Sequence, residues 1–310
     1  RDTVQTALGV YVLRDFVENL AFTGTGKFVG VGNLLDNVIT SSTDTASELV
    51  GGDGDDTYIV FMAGDTIVEH AGEGNDTVRT ALTAYRLRDD LENLIYTGSA
   101  SFSGVGNAAD NRISGGTGAA SELQGGAGDD TYLVSVIGDT LVEQAGGGID
   151  TVRTTLSVYR MTANNVENLT YAGTGRFTGL GNALDNVIIA GDADDDYLYA
   201  GVGVDTLYGG EGADVFLFDE AVNGVDLLAD FAPGSDRIFL NHSVFAHTAT
   251  VNLVQGSGAL AATDGNSTIF YHDDTGQIGY DADGTGAGAE IIFATITAGA
   301  VLQLGDFVFY

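Results

Sequence analysis

Asp56, Asp130 and Asp214 each occupy the sixth place of a glycine-rich run. Gly51-Gly52-Asp53-Gly54-Asp55-Asp56-Thr57-Tyr58-Ile59 reads as G-G-x-G-x-D-x-U-x, with U a large apolar residue, and Gly125 to Leu133 and Gly209 to Leu217 match the same nine positions. A carboxylate set beside uncovered glycine carbonyls offers hard oxygen donors, the ligand type that calcium takes. Glycine supplies the positive φ that a tight turn requires and leaves those carbonyls open. Looser copies keep the aspartate and the apolar place: Ala71 to Arg79, Ala145 to Arg153, Gly191 to Tyr199 and Ala200 to Tyr208. In the Gly191 copy Asp192 and Asp194 replace two glycines, which alters the turn. Val60 to Val68 keeps only Asp65 and Ile67, and Gly32 to Thr40 carries Asn37 where the aspartate would stand.

The elements that must position these carboxylates are legible in the same unit. Its x-U-x tail predicts a three-residue strand with one side chain pointing inward. The nonapeptides run nearly in tandem from Gly32 to Arg79, from Gly106 to Arg153 and from Gly181 to Leu217. A longer period encloses them. Asp2-Thr3-Val4 recurs as Asp76-Thr77-Val78 and Asp150-Thr151-Val152, and 76 − 2 and 150 − 76 both equal 74. Tyr11, Tyr85 and Tyr159 keep that spacing, whereas Glu18, Glu92 and Glu167 show a slip of one residue in the third copy, which a loop absorbs. Phe28, Phe102 and Phe177, with Phe22, Tyr96 and Tyr171, fall at repeat-equivalent places and read as internal stacking ladders.

The nonapeptide resembles that of the RTX family of calcium-binding parallel β-rolls. The resemblance implies an all-β, right-handed parallel β-roll or β-solenoid, with two nonapeptides per coil and calcium between turns two nonapeptides apart. That rule pairs Asp56 with Asp76, Asp130 with Asp150, Asp196 with Asp214, and Asn186 with Asp205. It also assigns turn glycines as carbonyl ligands: Gly51, Gly52, Gly54, Gly72 and Gly74 around the first pair, and Gly125, Gly126, Gly128, Gly146 and Gly148 around the second. Gly201, Gly203, Gly209, Gly210 and Gly212 serve the turns of Asp205 and Asp214. The turns containing Ser47, Asp65 and Asp139 have lost most glycines and are expected to hold no ion.

After Leu217 the nine-residue rhythm stops. Apolar blocks at Asp226 to Phe231, Arg237 to Leu240, Thr268 to His272, Gln277 to Tyr280 and Ile291 to Ile296 read as short strands between acidic turns. Leu228-Ala229-Asp230-Phe231, Ser235-Asp236-Arg237-Ile238, Ile278 to Gly284 and the ending Asp306-Phe307-Val308-Phe309-Tyr310 resemble the serralysin-like cap that follows the β-roll in secreted metalloproteases. This implies a roll over residues 1–218, with periods 2–75, 76–149 and 150–218, and a cap over 219–310 carrying a type I secretion signal. The implied export partners are an ABC transporter, an adaptor and an outer-membrane channel. A cap also covers the open strand edge at a solenoid end. Asp281, Asp283 and Gly284 echo the start of an EF-hand loop, but the distal glutamate is missing and a plain turn is the reading.

The net charge is −33, and aspartate outnumbers glutamate 33 to 11 among the 44 acidic residues. Aspartate dominates where turns and hard cations matter, and such a charge excludes nucleic acid and anionic lipid as direct partners. There is no cysteine, which suits an exported chain. No leader peptide opens the chain, and Ile291 to Leu304 is too short and too broken for a membrane span. Four histidines cannot make an H-E-x-x-H zinc site, and no G-x-S-x-G is present. The expectation is therefore a secreted or surface-located, non-catalytic region that folds on calcium outside the cell. Two alternatives stand beside it. One is a calcium-bridged surface-layer, filament or adhesin subunit that associates with itself or with cell-surface polysaccharide. The other is the C-terminal module of a secreted hydrolase or epimerase.

Overall fold

The computed structural model describes residues 1–191, 195–219, 224–247 and 249–310. Asp192 and Asp194 lie outside the described residues. Contacts divide the chain into two compact units, Arg1–Val152 and Arg153–Tyr310.

In the first unit strands of two to four residues, close to the three-residue strands that the x-U-x tails predict, alternate between two faces. One face is a parallel run of Thr3–Thr6, Asn19–Phe22, Val38–Thr40, Thr57–Val60, Thr77–Thr80, Asn93–Tyr96, Arg112–Ser114 and Thr131–Val134. The other consists of two parallel sheets. Val10–Val12, Val29–Val31, Glu48–Val50 and Thr66–Val68 form one, and Ala84–Arg86, Ser103–Val105, Glu122–Gln124 and Thr140–Leu141 form the next. Thr3, Asn19, Val38, Thr57 and Thr77 are successive partners, so one 74-residue period is four coils of 16, 19, 19 and 20 residues. The tandem nonapeptide predicts coils of 18, and the difference lies in the turns. Gly51 to Asp56 spans six residues between strands, whereas Glu69 to Asp76 spans eight.

The inward column of the first face is Leu20, Ile39, Tyr58, Val78, Leu94, Ile113 and Tyr132, in register from coil to coil and fully buried. Each coil thus contributes one large apolar side chain per strand to a thin core, and burying such a side chain contributes about 1.5–3 kcal/mol. The predicted aromatic ladders are present as pairs. Phe22 on Phe28 and Tyr96 on Phe102 stack at 4.5 Å between ring centroids. Tyr171 on Phe177 repeats this in the second unit.

The second unit opens with the same construction. Asn168–Tyr171, Val187–Ile189, Thr206–Tyr208 and Asp226–Leu228 pair in parallel on one face. Val158–Arg160, Thr178–Leu180, Tyr197–Tyr199, Val215–Phe218, Arg237–Leu240 and Phe307–Phe309 do so on the other. The hydrogen-bonding pattern then changes. Ile291–Thr295 continues the first face in parallel, but Gln277–Asp281 pairs antiparallel with it, and Ser267–His272 pairs antiparallel with Gln277–Asp281. Val251–Gly256 lies parallel to Ser267–His272. The protein is therefore an all-β, mostly parallel solenoid with a distinct C-terminal sheet. Among the described residues, no helix is long and apolar enough to cross a membrane.

Candidate metal centre

The aspartates of the nonapeptide do different jobs according to their place. Those at the fifth place stand outside and tie one coil to the next: the amide of Asp55 donates to Asp36 Oδ1 at 3.0 Å, and that of Asn75 to Asp55 Oδ1 at 2.8 Å. The second period repeats this with Asp129 on Asp110 and Ile149 on Asp129. Those at the sixth place point inward and run the opposite way. Asp56 Oδ1 accepts the amide of Asn37 at 2.6 Å, and Asp76 Oδ1 accepts that of Asp56 at 2.8 Å. Asn111, Asp130 and Asp150 form the same ladder at 2.7 and 2.9 Å.

One oxygen of each inner carboxylate is thereby spent on the neighbouring coil. The other decides whether a cation has a place. Asp56 Oδ2 and Asp130 Oδ2 are buried and have no hydrogen-bond partner. The turns explain why. Gly52 and Gly54 take φ values of +96° and +119°, and the Gly54 amide faces the next coil, donating to Glu73 O at 2.7 Å. No amide within the turn bends back to Asp56 Oδ2. The Gly128 amide similarly donates to Gly147 O. Gly51 and Gly125 must be glycine for a separate reason. A Cβ on either would occupy the space into which Oδ2 of Asp56 or Asp130 projects.

Two glutamates join these carboxylates. Asp56, Glu69 and Asp76 each bring one oxygen within 4.8 Å of the others, and Asp130, Glu143 and Asp150 do the same. Calcium–oxygen bonds of about 2.3–2.6 Å put ligands on opposite sides of an ion about 5 Å apart, so both groups suit a calcium ion at their centre. Burial pushes Asp56 up to about 7, Asp76 up to about 6 and Asp130 up to about 7, with neighbouring carboxylates adding to each. Burial, then the charge of Asp76, pushes Glu69 up to about 9. Concentrated negative charge with a free inward oxygen is what a cation relieves.

In the second unit Asn186 donates its amide to Asp205 Oδ1 at 2.7 Å, and Asp196 donates its amide to Asp214 Oδ1 at 2.8 Å. The ladders go further than the nonapeptides do. The Asp205 amide meets Asp226 Oδ1, and the Asp214 amide meets Asp236 Oδ1, both at 3.0 Å. Oδ2 of Asp205 and of Asp214 has no hydrogen-bond partner, whereas Asp196 accepts the amides of Phe177 and Gly191 on its two oxygens. Asp230 takes the amides of Gly209 and Gly210 at 2.9 Å each. Of the remaining turn glycines, Gly72, Gly126, Gly146, Gly201, Gly203, Gly210 and Gly212 also have positive φ, and Gly74, Gly148 and Gly209 do not. Glu69, Glu143, Asp226 and Asp236 were not singled out by the motif. Glu69 and Glu143 do carry a signal, since 143 − 69 is again 74.

Elsewhere, His242 and His247 meet with ring centroids 4.4 Å apart. Asp281 accepts the amides of Asp283 and Gly284 as an ordinary turn does.

This chain carries a calcium-binding RTX-type β-solenoid. Residues 181–216 match the family model described as RTX calcium-binding nonapeptide repeat (4 copies). Among curated proteins, the chain is 46% identical over 70 residues to endo-1,3-1,4-beta-glycanase ExsH of Rhizobium meliloti (strain 1021). The match covers 23% of this chain and 15% of the length of that relative. It corrects the expectation of a non-enzyme. That expectation rested on missing protease and lipase motifs, but a glycanase uses neither, and the similar stretch occurs within a glycanase polypeptide.

Proposed function

We propose that the chain is the calcium-folding solenoid of a secreted polysaccharide-degrading enzyme, carried on the same polypeptide as a glycan hydrolase domain. The observation behind this reading is the 70-residue similarity to the glycanase. In this role the inner carboxylates at Asp56, Asp76, Asp130, Asp150, Asp205 and Asp214, with carbonyls of the turn glycines named above, hold calcium between coils. Without calcium the stacked carboxylates repel one another, and the many glycines lose much entropy on ordering. Calcium then drives the solenoid to fold outside the cell, at the roughly 10⁻⁴ to 10⁻³ M affinities of extracellular modules.

Export by a type I machine, with residues 219–310 as cap and signal, belongs to the same proposal. The closing strand Phe307–Phe309 lies along Arg237–Leu240, and Asp306 is buried, accepting the amides of Gly234 and Gln303 with Arg237 at 3.7 Å. A transporter reading this segment therefore meets it before folding.

The test is to purify the native polypeptide from culture medium and assay 1,3-1,4-β-glucan cleavage in millimolar calcium and after chelation. The expected result is a polypeptide longer than 310 residues with calcium-dependent hydrolysis. A polypeptide no longer than this chain, with no cleavage of this glucan or related polysaccharides, would overturn the proposal.

A further inference from the structure

Glu69 stands where the motif has no ligand. Val50 pairs with Val68 across adjacent coils, so Glu69 is the coil-to-coil counterpart of Gly51, the first residue of the preceding nonapeptide. Leu123 pairs with Leu141, which places Glu143 over Gly125 in the same way. The turn that follows Glu69 is two residues longer than the turn that follows Gly51. A long acidic side chain thus replaces a glycine once in each of the first two periods, at the coil where the turn is longest.

Glu69 is 8% exposed, and neither of its carboxylate oxygens has a hydrogen-bond partner. Its Oε1, the Tyr58 hydroxyl and Asp56 Oδ2 all converge on the space above the Gly51 Cα. The Tyr58 hydroxyl, fully buried, is also without a partner. In the second period the Tyr132 hydroxyl bonds Glu143 Oε1, and the Gly125 amide donates to both. Three buried carboxylates gathered within 4.8 Å of one another in the first centre, with a tyrosine hydroxyl beside them, are costly unless something positive sits among them.

We propose that Glu69 and Glu143 are direct ligands that complete two internal three-carboxylate cation centres, Asp56–Glu69–Asp76 and Asp130–Glu143–Asp150, with the Tyr58 and Tyr132 hydroxyls beside the ion. The proposal rests on the calcium reading of the same turns and adds a ligand class to it. In the second unit Ala200 stands at the corresponding place over Gly181, while Asp230 stands over Gly209 with its two oxygens already taken by the Gly209 and Gly210 amides. Since calcium affinity rises with the number of charged ligands, the two glutamate centres fill before the positions at Asp205 and Asp214.

The experiment uses the full chain with calcium and with terbium, an ion of similar oxygen preference whose emission is sensitised by nearby aromatic rings. The chain has no tryptophan, so tyrosine is the antenna. Calcium titration of E69Q/E143Q is expected to remove two ions from the tightest class or weaken them at least about tenfold, leaving the weaker class unchanged. Y58F/Y132F is expected to lose most of the terbium emission from the first two ions bound. If E69Q/E143Q does not fold, the single variants E69Q and E143Q are each expected to lose one tight ion. Unchanged calcium number and affinity in every glutamate variant would overturn the inference and leave the turn sites standing. A wild-type chain that binds no calcium would overturn both.

Discussion

The two edges of the coils in the first unit are built from the same kind of ladder and end in opposite chemistry. On one edge Asp56 and Asp130 accept an amide from the preceding coil on Oδ1 and keep a buried, partnerless Oδ2. On the other, Asp65 and Asp139 accept the amides of Ser47 and Ser121 on Oδ1 in the same way. Their second oxygens, however, take the amides of Met62 and Val136, three residues back in their own turns. Asp65 is as deeply buried as Asp56, so burial does not separate these two aspartates. One intra-turn hydrogen bond does. Met62-Ala63-Gly64-Asp65 curls its first amide onto the carboxylate, whereas positive φ at Gly52 and Gly54 turns amides toward the next coil. On the proposed reading, a turn that satisfies its own aspartate is structural, and a turn that leaves an oxygen over holds a cation.

The largest expected effect of this difference is on the order in which the coils come apart. Stepwise chelation should release amide protection first at Asn37, Asp56, Asn111 and Asp130, and only at lower calcium at Ser47 and Ser121. Hydrogen exchange followed at each calcium level reads this directly. Simultaneous release at both edges would mean that the intra-turn bonds do not stand in for an ion.

Substitution sharpens the same contrast. D56N with D130N removes the free anionic oxygen and should cost bound calcium ions, seen as a lower stoichiometry by calorimetry. D65N with D139N should leave the stoichiometry intact. Each of those asparagines can accept only one of the two amides now held, so the fold should lose about 1–3 kcal/mol per site in calcium-saturated denaturation. A fall in calcium stoichiometry in D65N/D139N would show that the structural edge also carries ions.

The pH response comes next in size. Burial lifts Asp56, Asp130 and Asp214 to about 7 in the cation-free fold, while an unfolded aspartate titrates near 3.9. Between about pH 4 and pH 7 the folded chain then holds more protons than the unfolded one. Without calcium, stability therefore falls as pH rises through that window. Calcium and protons compete for the same oxygens, so the calcium midpoint of folding should drop about tenfold or more from pH 5.5 to pH 8. An unchanged midpoint across that range, measured by circular dichroism, would place the binding oxygens elsewhere.

What could be read in the sequence followed from how locally each feature is determined. The alternation of turn and x-U-x strand sets the parallel coils, and the strand blocks after Leu217 correspond to Asp226–Leu228, Arg237–Leu240, Ser267–His272, Gln277–Asp281 and Ile291–Thr295. Val251–Gly256 escaped notice because its residues are half-buried on both sides and show no apolar alternation. Glu69 and Glu143 sit outside every nonapeptide, and only coil-to-coil register brings them over Gly51 and Gly125. Asp226 and Asp236 come after the rhythm has stopped, so their places in the ladders depend on longer turns that no fixed period marks. The self-satisfied state of Asp65 and Asp139 was visible indirectly, as the loss of the glycines that would have turned their amides away.

The smallest effect tests the glycines of the two edges against each other. A methyl group at Gly51 would collide with the Asp56 carboxylate, the Tyr58 hydroxyl and Glu69. G51A should therefore weaken calcium-dependent folding by overpacking, about 1–3 kcal/mol. At Gly64, on the other edge, a methyl group meets only the Ala46 Cβ at 3.1 Å, and its φ is not in the left-handed region. There the reduced freedom of the unfolded chain, worth about 0.4–1 kcal/mol, opposes a contact that a shift of a few tenths of an ångström relieves. G64A should leave both the calcium midpoint and the stability within about 0.5 kcal/mol of wild type. Equal damage from the two substitutions, read in calcium-dependent circular dichroism, would mean that Gly51 is needed for its turn and not for the carboxylates that converge above it.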